Sequence, residues 1–270
     1  MKNYAGPTDI MYHTGLSADM IRGAKYALLP GDPGRVEGLA KALDRNALFI
    51  ASHRDYTTWL ARVENAPVLV MSTGMGGPCV TFAVEELARL GAETFIRVGT
   101  TGSIQEDLHL GDVVINTASV RMDGASRAYA PIEFPAVADP DTVLALREAA
   151  EESGIPFKTG ISISTDSFWP GQERYDSFGG YVLKRLQGSL EDFRHIGCTN
   201  YEMENATLFT LCSVLGLKAA SICGVVAKRT DSESVAPHEV YEKAEQRFQD
   251  VVKRALKKMI ARSRSGGNIS

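Results

Sequence analysis

Long apolar runs are missing from this chain of 270 residues. No stretch approaches the length of a bilayer span, and Met1-Lys2-Asn3-Tyr4 leads into no signal-peptide apolar core, so a cytoplasmic protein without a membrane partner is expected. Cysteine is scarce. The four cysteines (Cys79, Cys198, Cys212, Cys223) form no CxxC pair, and three of them fall in segments that read as buried helix or strand, which favours reduced core thiols over disulfides. The five histidines are scattered, with no HExxH, so no metal site is expected. A basic excess is also absent: 29 Lys and Arg against 33 Asp and Glu give a net charge of −4, which argues against nucleic acid as a partner. There is no Walker A loop, no GxGxxG, no GxSxG elbow and no Ser-His-Asp order. His53-Arg54-Asp55 matches a kinase catalytic-loop triplet, but the asparagine, DFG and Gly-rich loop that should accompany it are lacking.

What is present is alternation. Short apolar runs at 27–29, 68–71, 95–98, 113–115 and 221–226 read as strands, each ended by Gly or a turn residue. Helical patterns lie between them: 79–90 opened by Pro78 and closed by Gly91, 141–153 stopped at Gly154, 204–215 closed by Gly216, and a long amphipathic stretch over 238–262. The pattern predicts an α/β fold around a largely buried sheet. The length suits one domain over 1–270 with a core of about 11–262 and polar, frayed ends at 1–11 and 263–270.

Four constellations carry chemistry. In Phe168-Trp169-Pro170-Gly171-Gln172-Glu173-Arg174, an aromatic face, an amide and a guanidinium flank a Pro-Gly turn. Phe168 can cover a flat heterocycle, Gln172 can donate and accept, and Arg174 only donates, which suits the edge of uracil. Pro30-Gly31-Asp32-Pro33-Gly34-Arg35 follows a strand and opens a helix, so it reads as an anion loop or as a tight βα turn with a surface arginine. In Arg97-Val98-Gly99-Thr100-Thr101-Gly102 a charge sits inside an apolar strand, and Arg97 needs an anion or a carboxylate close by. Asn200-Tyr201-Glu202-Met203-Glu204 opens an apolar helix: one glutamate can face a pocket and accept from vicinal hydroxyls while the other caps or pairs with a base. Arg54 reads as a strand-edge arginine that serves its own subunit or a neighbour.

With those residues in hand, the chain resembles the nucleoside phosphorylase-I family over about 11–262. The likeness rests on PGDPGRV at 30–36, ASHRDYTTW at 51–59, STGMGGP at 72–78, RVGTTGSIQ at 97–105, SVRMDGAS at 119–126, FPAVAD at 134–139, SFWPGQERYD at 167–176 and NYEMENATL at 200–208. The FWPGQER segment is the mark of the uridine-cleaving branch. The resemblance implies a three-layer α/β/α sandwich around a mixed sheet, in a homohexamer built as a trimer of dimers with shared sites. It implies reversible phosphorolysis of uridine and 2′-deoxyuridine in pyrimidine salvage, with inorganic phosphate as co-substrate and no cofactor.

By the same resemblance, Gly31, Arg35, Arg97, Thr100 and a neighbour's Arg54 hold phosphate. Met203, Glu204 and a neighbour's His13 hold ribose, and Phe168, Gln172 and Arg174 hold the base. Arg97, Glu204, Arg174 and Gln172 carry the catalysis. Related enzymes bind a monovalent cation at the dimer interface through glutamate and serine oxygens. The matching positions here are Asp55 and Cys79, and sulfur is a poor ligand for a hard cation. Trp169 and Lys228 stand where tyrosine and asparagine are usual, and 231–234 departs from the family pattern. The rival readings are a purine nucleoside phosphorylase, a nucleoside hydrolase and a catalytically silent nucleoside-binding protein.

Overall fold

The computed structural model describes residues 2–232 and 234–266. In chain order its elements are α1 (Ala18–Ile21), β1 (Tyr26–Leu29), α2 (Val36–Leu43), β2 (Leu48–His53), β3 (Tyr56–Val63), β4 (Ala66–Met71), α3 (Gly77–Arg89), β5 (Thr94–Ser103) and β6 (Val113–Met122). They continue with β7 (Ala136–Val137), α4 (Pro140–Ser153), β8 (Phe157–Thr165), α5 (Ser189–His195), β9 (Asn200–Glu202), α6 (Asn205–Leu215), β10 (Lys218–Lys228) and α7 (His238–Gly266). No helix among the described residues is long and apolar enough to cross a membrane.

The strands form one mixed sheet in the order β10-β6-β8-β9-β5-β1-β4-β3-β2. An added β10–β5 pairing closes β5, β10, β6, β8 and β9 into a ring, from which β1, β4, β3 and β2 extend as an open wing. Both faces are buried, and the period of two separates them: on β1 and β4, Leu28, Val68 and Val70 pack with α2, α4 and α7, while Ala27, Leu29, Leu69 and Met71 pack with α1, α3 and α6. This is the expected α/β architecture, with helices on both sides of a mixed sheet.

The element boundaries show where local reading stopped short. All five expected strands and all four expected helices are present. The Thr-Gly run after Arg97, expected to lie beyond its strand, is part of β5, because β10 pairs with it along its length. Asn200–Glu202 is a strand and not the start of a helix; it is paired with β5 and β8, and α6 begins only at Asn205. The wing hairpin β2–β3 places Arg54 in its two-residue turn, with φ of 55°. At the ends, α7 continues past Arg262 to Gly266, Ala5 N–H donates to the Arg89 carbonyl at 3.0 Å, and Met11 is buried. Residues 267–270 lie outside the described residues.

Candidate active site

Parallel strands β1, β4, β5 and β10 all end on one side of the sheet, and the polar residues gather there, as open α/β sheets arrange their ligand sites. At the centre is Arg97, on β5. Its Nε donates to Glu204 Oε2 at 2.8 Å, and one Nη closes a shorter contact with the same oxygen. The carboxylate requirement inferred for Arg97 is therefore met by Glu204, an internal ion pair at the carboxyl ends of the strands. Burial works against the Arg97 charge, but Glu204, then Cys223 and Glu202, hold it firmly protonated. The guanidinium folds back across Gly99, where a Cβ would fall 1.4 Å from its Nη1, so a larger residue there would displace the guanidinium.

The two glutamates divide as their spacing suggested. Glu202 is fully buried. Its Oε2 accepts from the Glu204 and Asn205 backbone N–H groups at 2.7 and 2.6 Å, and its Oε1 accepts from Ser162 at 3.0 Å and more closely from Ser164. It caps α6 and fixes the backbone of Glu204. Burial pushes the Glu202 carboxyl up, and Arg97 pulls it partly back. Glu204 uses its other oxygen to accept from Gly76 N–H at 2.7 Å, just before α3. Met203 stands between the two carboxylates, its N–H 3.3 Å from Glu204 Oε2.

The glycine loops meet beside this pair. Gly74 N–H donates to the Gly31 carbonyl at 2.9 Å, and a Cβ on Gly31 would lie 3.2 Å from the Gly74 oxygen, so the β1 and β4 loops touch. The Arg35 guanidinium pairs with Glu245 of α7 and lies 5.3 Å from the Phe248 ring centroid. Thr100 is half-buried on β5, opposite Gly224.

The base loop is tightly built. Gln172 is 4% exposed and Arg174 is 2% exposed, with the Arg174 guanidinium 4.2 Å from the centre of the Phe168 ring. Trp169 stands edge-on to Phe168 and half-exposed. Sequence reasoning missed the residue that secures this loop, Arg229. Its Nη1 donates to the Gln172 carbonyl at 3.0 Å and its Nη2 reaches the Glu173 carbonyl at 3.4 Å. The signal was present: a charge directly after an apolar strand, buried to 6% exposure, needs partners as Arg97 does. A Cβ at Gly102 would touch both Arg229 and Arg174, which ties the loop to the end of β5. Glu173 anchors the other side, accepting from Leu190 N–H at 2.7 Å. Lys228 pairs with Asp231 at 3.5 Å, and Glu233 of the divergent segment lies outside the described residues.

His13 and Arg54 form a second group. Glu86 accepts from the His13 backbone N–H at 2.9 Å, the His13 ring at 2.7 Å and Thr14 N–H at 2.8 Å. His13 stacks on Phe82 with ring centroids 4.1 Å apart, and Arg54 lies over Tyr12. Both residues stand on an outer face; among the described residues no hydrogen bond joins either to Arg97 or Glu204. At the positions matching the family's cation site, Asp55 and Cys79 both approach Gly74. Burial and then Asp55 push the Cys79 thiol up, leaving a protonated sulfur, so the residues present do not fit a hard monovalent cation.

Comparison with known sequences agrees with this geometry. A sequence model of the phosphorylase superfamily matches residues 25–257. The uridine phosphorylase of Escherichia coli (strain K12) is 50% identical over 223 residues, 83% of this chain and 88% of that protein. That of Thermococcus kodakarensis is 47% identical over 210 residues, 78% of this chain and 75% of its own. A guanosine phosphorylase of Halorubrum lacusprofundi is 36% identical over 201 residues, covering 74% and 77% of the two chains. The buried arginine–glutamate pair and touching glycine loops at the carboxyl ends of one mixed sheet thus occur in a chain that belongs to the phosphorylase superfamily.

Proposed function

We propose that this protein cleaves uridine with inorganic phosphate, reversibly, to uracil and ribose 1-phosphate. The observation that carries the reading is the buried Gln172 and Arg174, with Arg174 against Phe168, secured by Arg229 at the end of β5, the strand whose Arg97 pairs with Glu204. Gln172 offers a donor and an acceptor and Arg174 only donors, which matches the alternating edge of uracil. The relatives named uridine phosphorylase support the same base.

In this reading phosphate enters beside Gly31, Arg97 and Thr100, and a phosphate oxygen attacks C1′ from the face opposite the base. The C1′–N1 bond breaks through an oxocarbenium-like transition state, and its electron pair passes to the uracil ring. Arg174 and Gln172 stabilise that charge on the leaving group, while phosphate and Glu204 stabilise the cationic sugar. The Arg97–Glu204 pair holds the two side chains together before substrates arrive. Phosphate then draws on the guanidinium, and the ribose hydroxyls donate to the carboxylate.

Arg54 and His13 belong to the site only if a second copy supplies them, so the reading includes a dimer with shared sites and a hexamer of three such dimers. Support comes from the face they occupy, where Tyr12 is 72% exposed and Met75 80% exposed. Arg35 would join the phosphate ligands by leaving Glu245. The reading places the reaction in pyrimidine salvage in the cytoplasm, where Cys79, Cys198, Cys212 and Cys223 stay free thiols.

The test is ultraviolet-monitored cleavage of uridine and of inosine, each with and without inorganic phosphate. Uracil release from uridine only with phosphate is expected. Release without phosphate would mean a hydrolase, preference for inosine a purine enzyme, and no cleavage at all a binding protein.

A further inference from the structure

On β10, Ser221 and Cys223 are fully buried and lie directly opposite Arg97 and Gly99 of β5. Residues two apart on a strand share a face, so the two side chains lie side by side, with Cys223 against the guanidinium as it crosses Gly99. The Arg97 Nη1 lies 3.4 Å from Cys223 Sγ, and Ser221 Oγ lies 3.5 Å from the same sulfur. Three features therefore bound one guanidinium: Glu204 takes Nε and one Nη, the bare Gly99 backbone leaves room beneath, and the thiol takes the other Nη. A buried arginine with one end unbounded has alternative rotamers, and an arginine that must align an anion cannot use them without cost.

We propose that Cys223 is a positioning residue for phosphate: its sulfur, backed by Ser221, fixes the Nη1 end of Arg97 so that the guanidinium meets the anion in one orientation. The inference rests on the reading of Arg97 as a phosphate ligand. Sulfur is a weak acceptor. It orients the guanidinium without competing with an incoming phosphate as Glu204 does, and no carboxylate is needed on that side.

The experiment is calorimetric titration of the full-length protein with inorganic phosphate alone, for wild type and for C223A, C223V and C223S. Steady-state KM values for phosphate and uridine and thermal midpoints are recorded in parallel. C223A removes the acceptor and C223V removes it at nearly constant volume, so one of the two remains informative if the other folds poorly. Both are expected to bind phosphate about threefold to tenfold more weakly, the worth of one modest hydrogen bond, with the same rise in phosphate KM and little change in uridine KM. C223S restores an acceptor and is expected to stay within about threefold of wild type. Folded C223A and C223V that bind phosphate as tightly as wild type would overturn the proposal. So would an equal loss in all three variants that tracks their thermal midpoints, and so would a wild-type protein that binds no phosphate. Phosphate binding without uridine cleavage by wild type would instead defeat the proposed substrate and leave the role of Cys223 standing.

Discussion

In the proposed mechanism Arg174 divides binding from turnover. It is buried against Phe168 in the loop proposed to hold the base, and that loop is secured by Arg229, while the residues proposed to hold phosphate include Arg97 and Gly31. Its charge counts most when the uracil ring becomes anionic, that is, in the transition state. Arg174→Ala is therefore expected to lower kcat by about a hundredfold or more, the usual effect of deleting a preorganised donor, while the phosphate KM moves by less than about threefold. Steady-state kinetics with each substrate varied in turn decide this, and an effect confined to the phosphate KM removes Arg174 from the leaving-group role. The type and spacing of Phe168, Gln172 and Arg174 marked the 168–174 loop in the sequence as the candidate base loop. Its fastening was not legible, because Arg229 lies 57 and 56 positions from the Gln172 and Glu173 carbonyls it holds, and backbone carbonyls leave no mark on residue types.

At the scale of elements, the sequence revealed what is local and missed what depends on a partner strand. The helix from Gly77 and the strand at 26–29 announce themselves through Pro, Gly and apolar runs. Asn200–Glu202 has three residues and is a strand only because β5 and β8 flank it, so no window on the sequence contains its cause. The segment carrying His13 is another such case. It has no regular structure of its own and is held by one helix residue, Glu86, through two backbone N–H groups and an imidazole. Burial pushes the Glu86 carboxyl up, but these hydrogen bonds outweigh burial and leave it below the ordinary carboxylate range. A lowered folded-state pKa contributes stability that is complete above the unfolded value, about 4.5, and is lost as pH falls through the folded value. Glu86→Gln is thus expected to cost about 1–3 kcal/mol near neutral pH by unpairing buried donors. The gap from wild type should close as the pH is lowered below about 4.5, where protonation imposes the same loss on wild type. Denaturant melts across that range measure it, and a gap independent of pH would show that the anchor does not depend on the charge.

The whole molecule poses a question that one chain does not answer. Arg97, Glu204 and the base loop come together at the ends of β5 and β10, but Arg54 and His13 stand on an outer face beside exposed Tyr12, Phe82 and Met75. A large exposed apolar group beside Arg54 and His13 is what an interface between copies offers, and a twofold axis would bring the Arg54 of each copy toward the other's site. Complementation tests this arrangement without a structure of the assembly. An Arg54→Ala chain lacks the residue it lends, and a Glu204→Gln chain lacks the residue it keeps, so each variant alone is expected to be nearly inactive. In a mixed dimer, one site takes Glu204 from the first chain and Arg54 from the second and is complete, while the other site lacks both. Random pairing makes half the dimers mixed with one of two sites intact, so co-expressed variants are expected to recover about a quarter of wild-type activity. If Arg54 served its own subunit, every site would lack one of the two residues. The mixture would then stay at the level of the single variants, and the shared-site dimer would be excluded by that one assay.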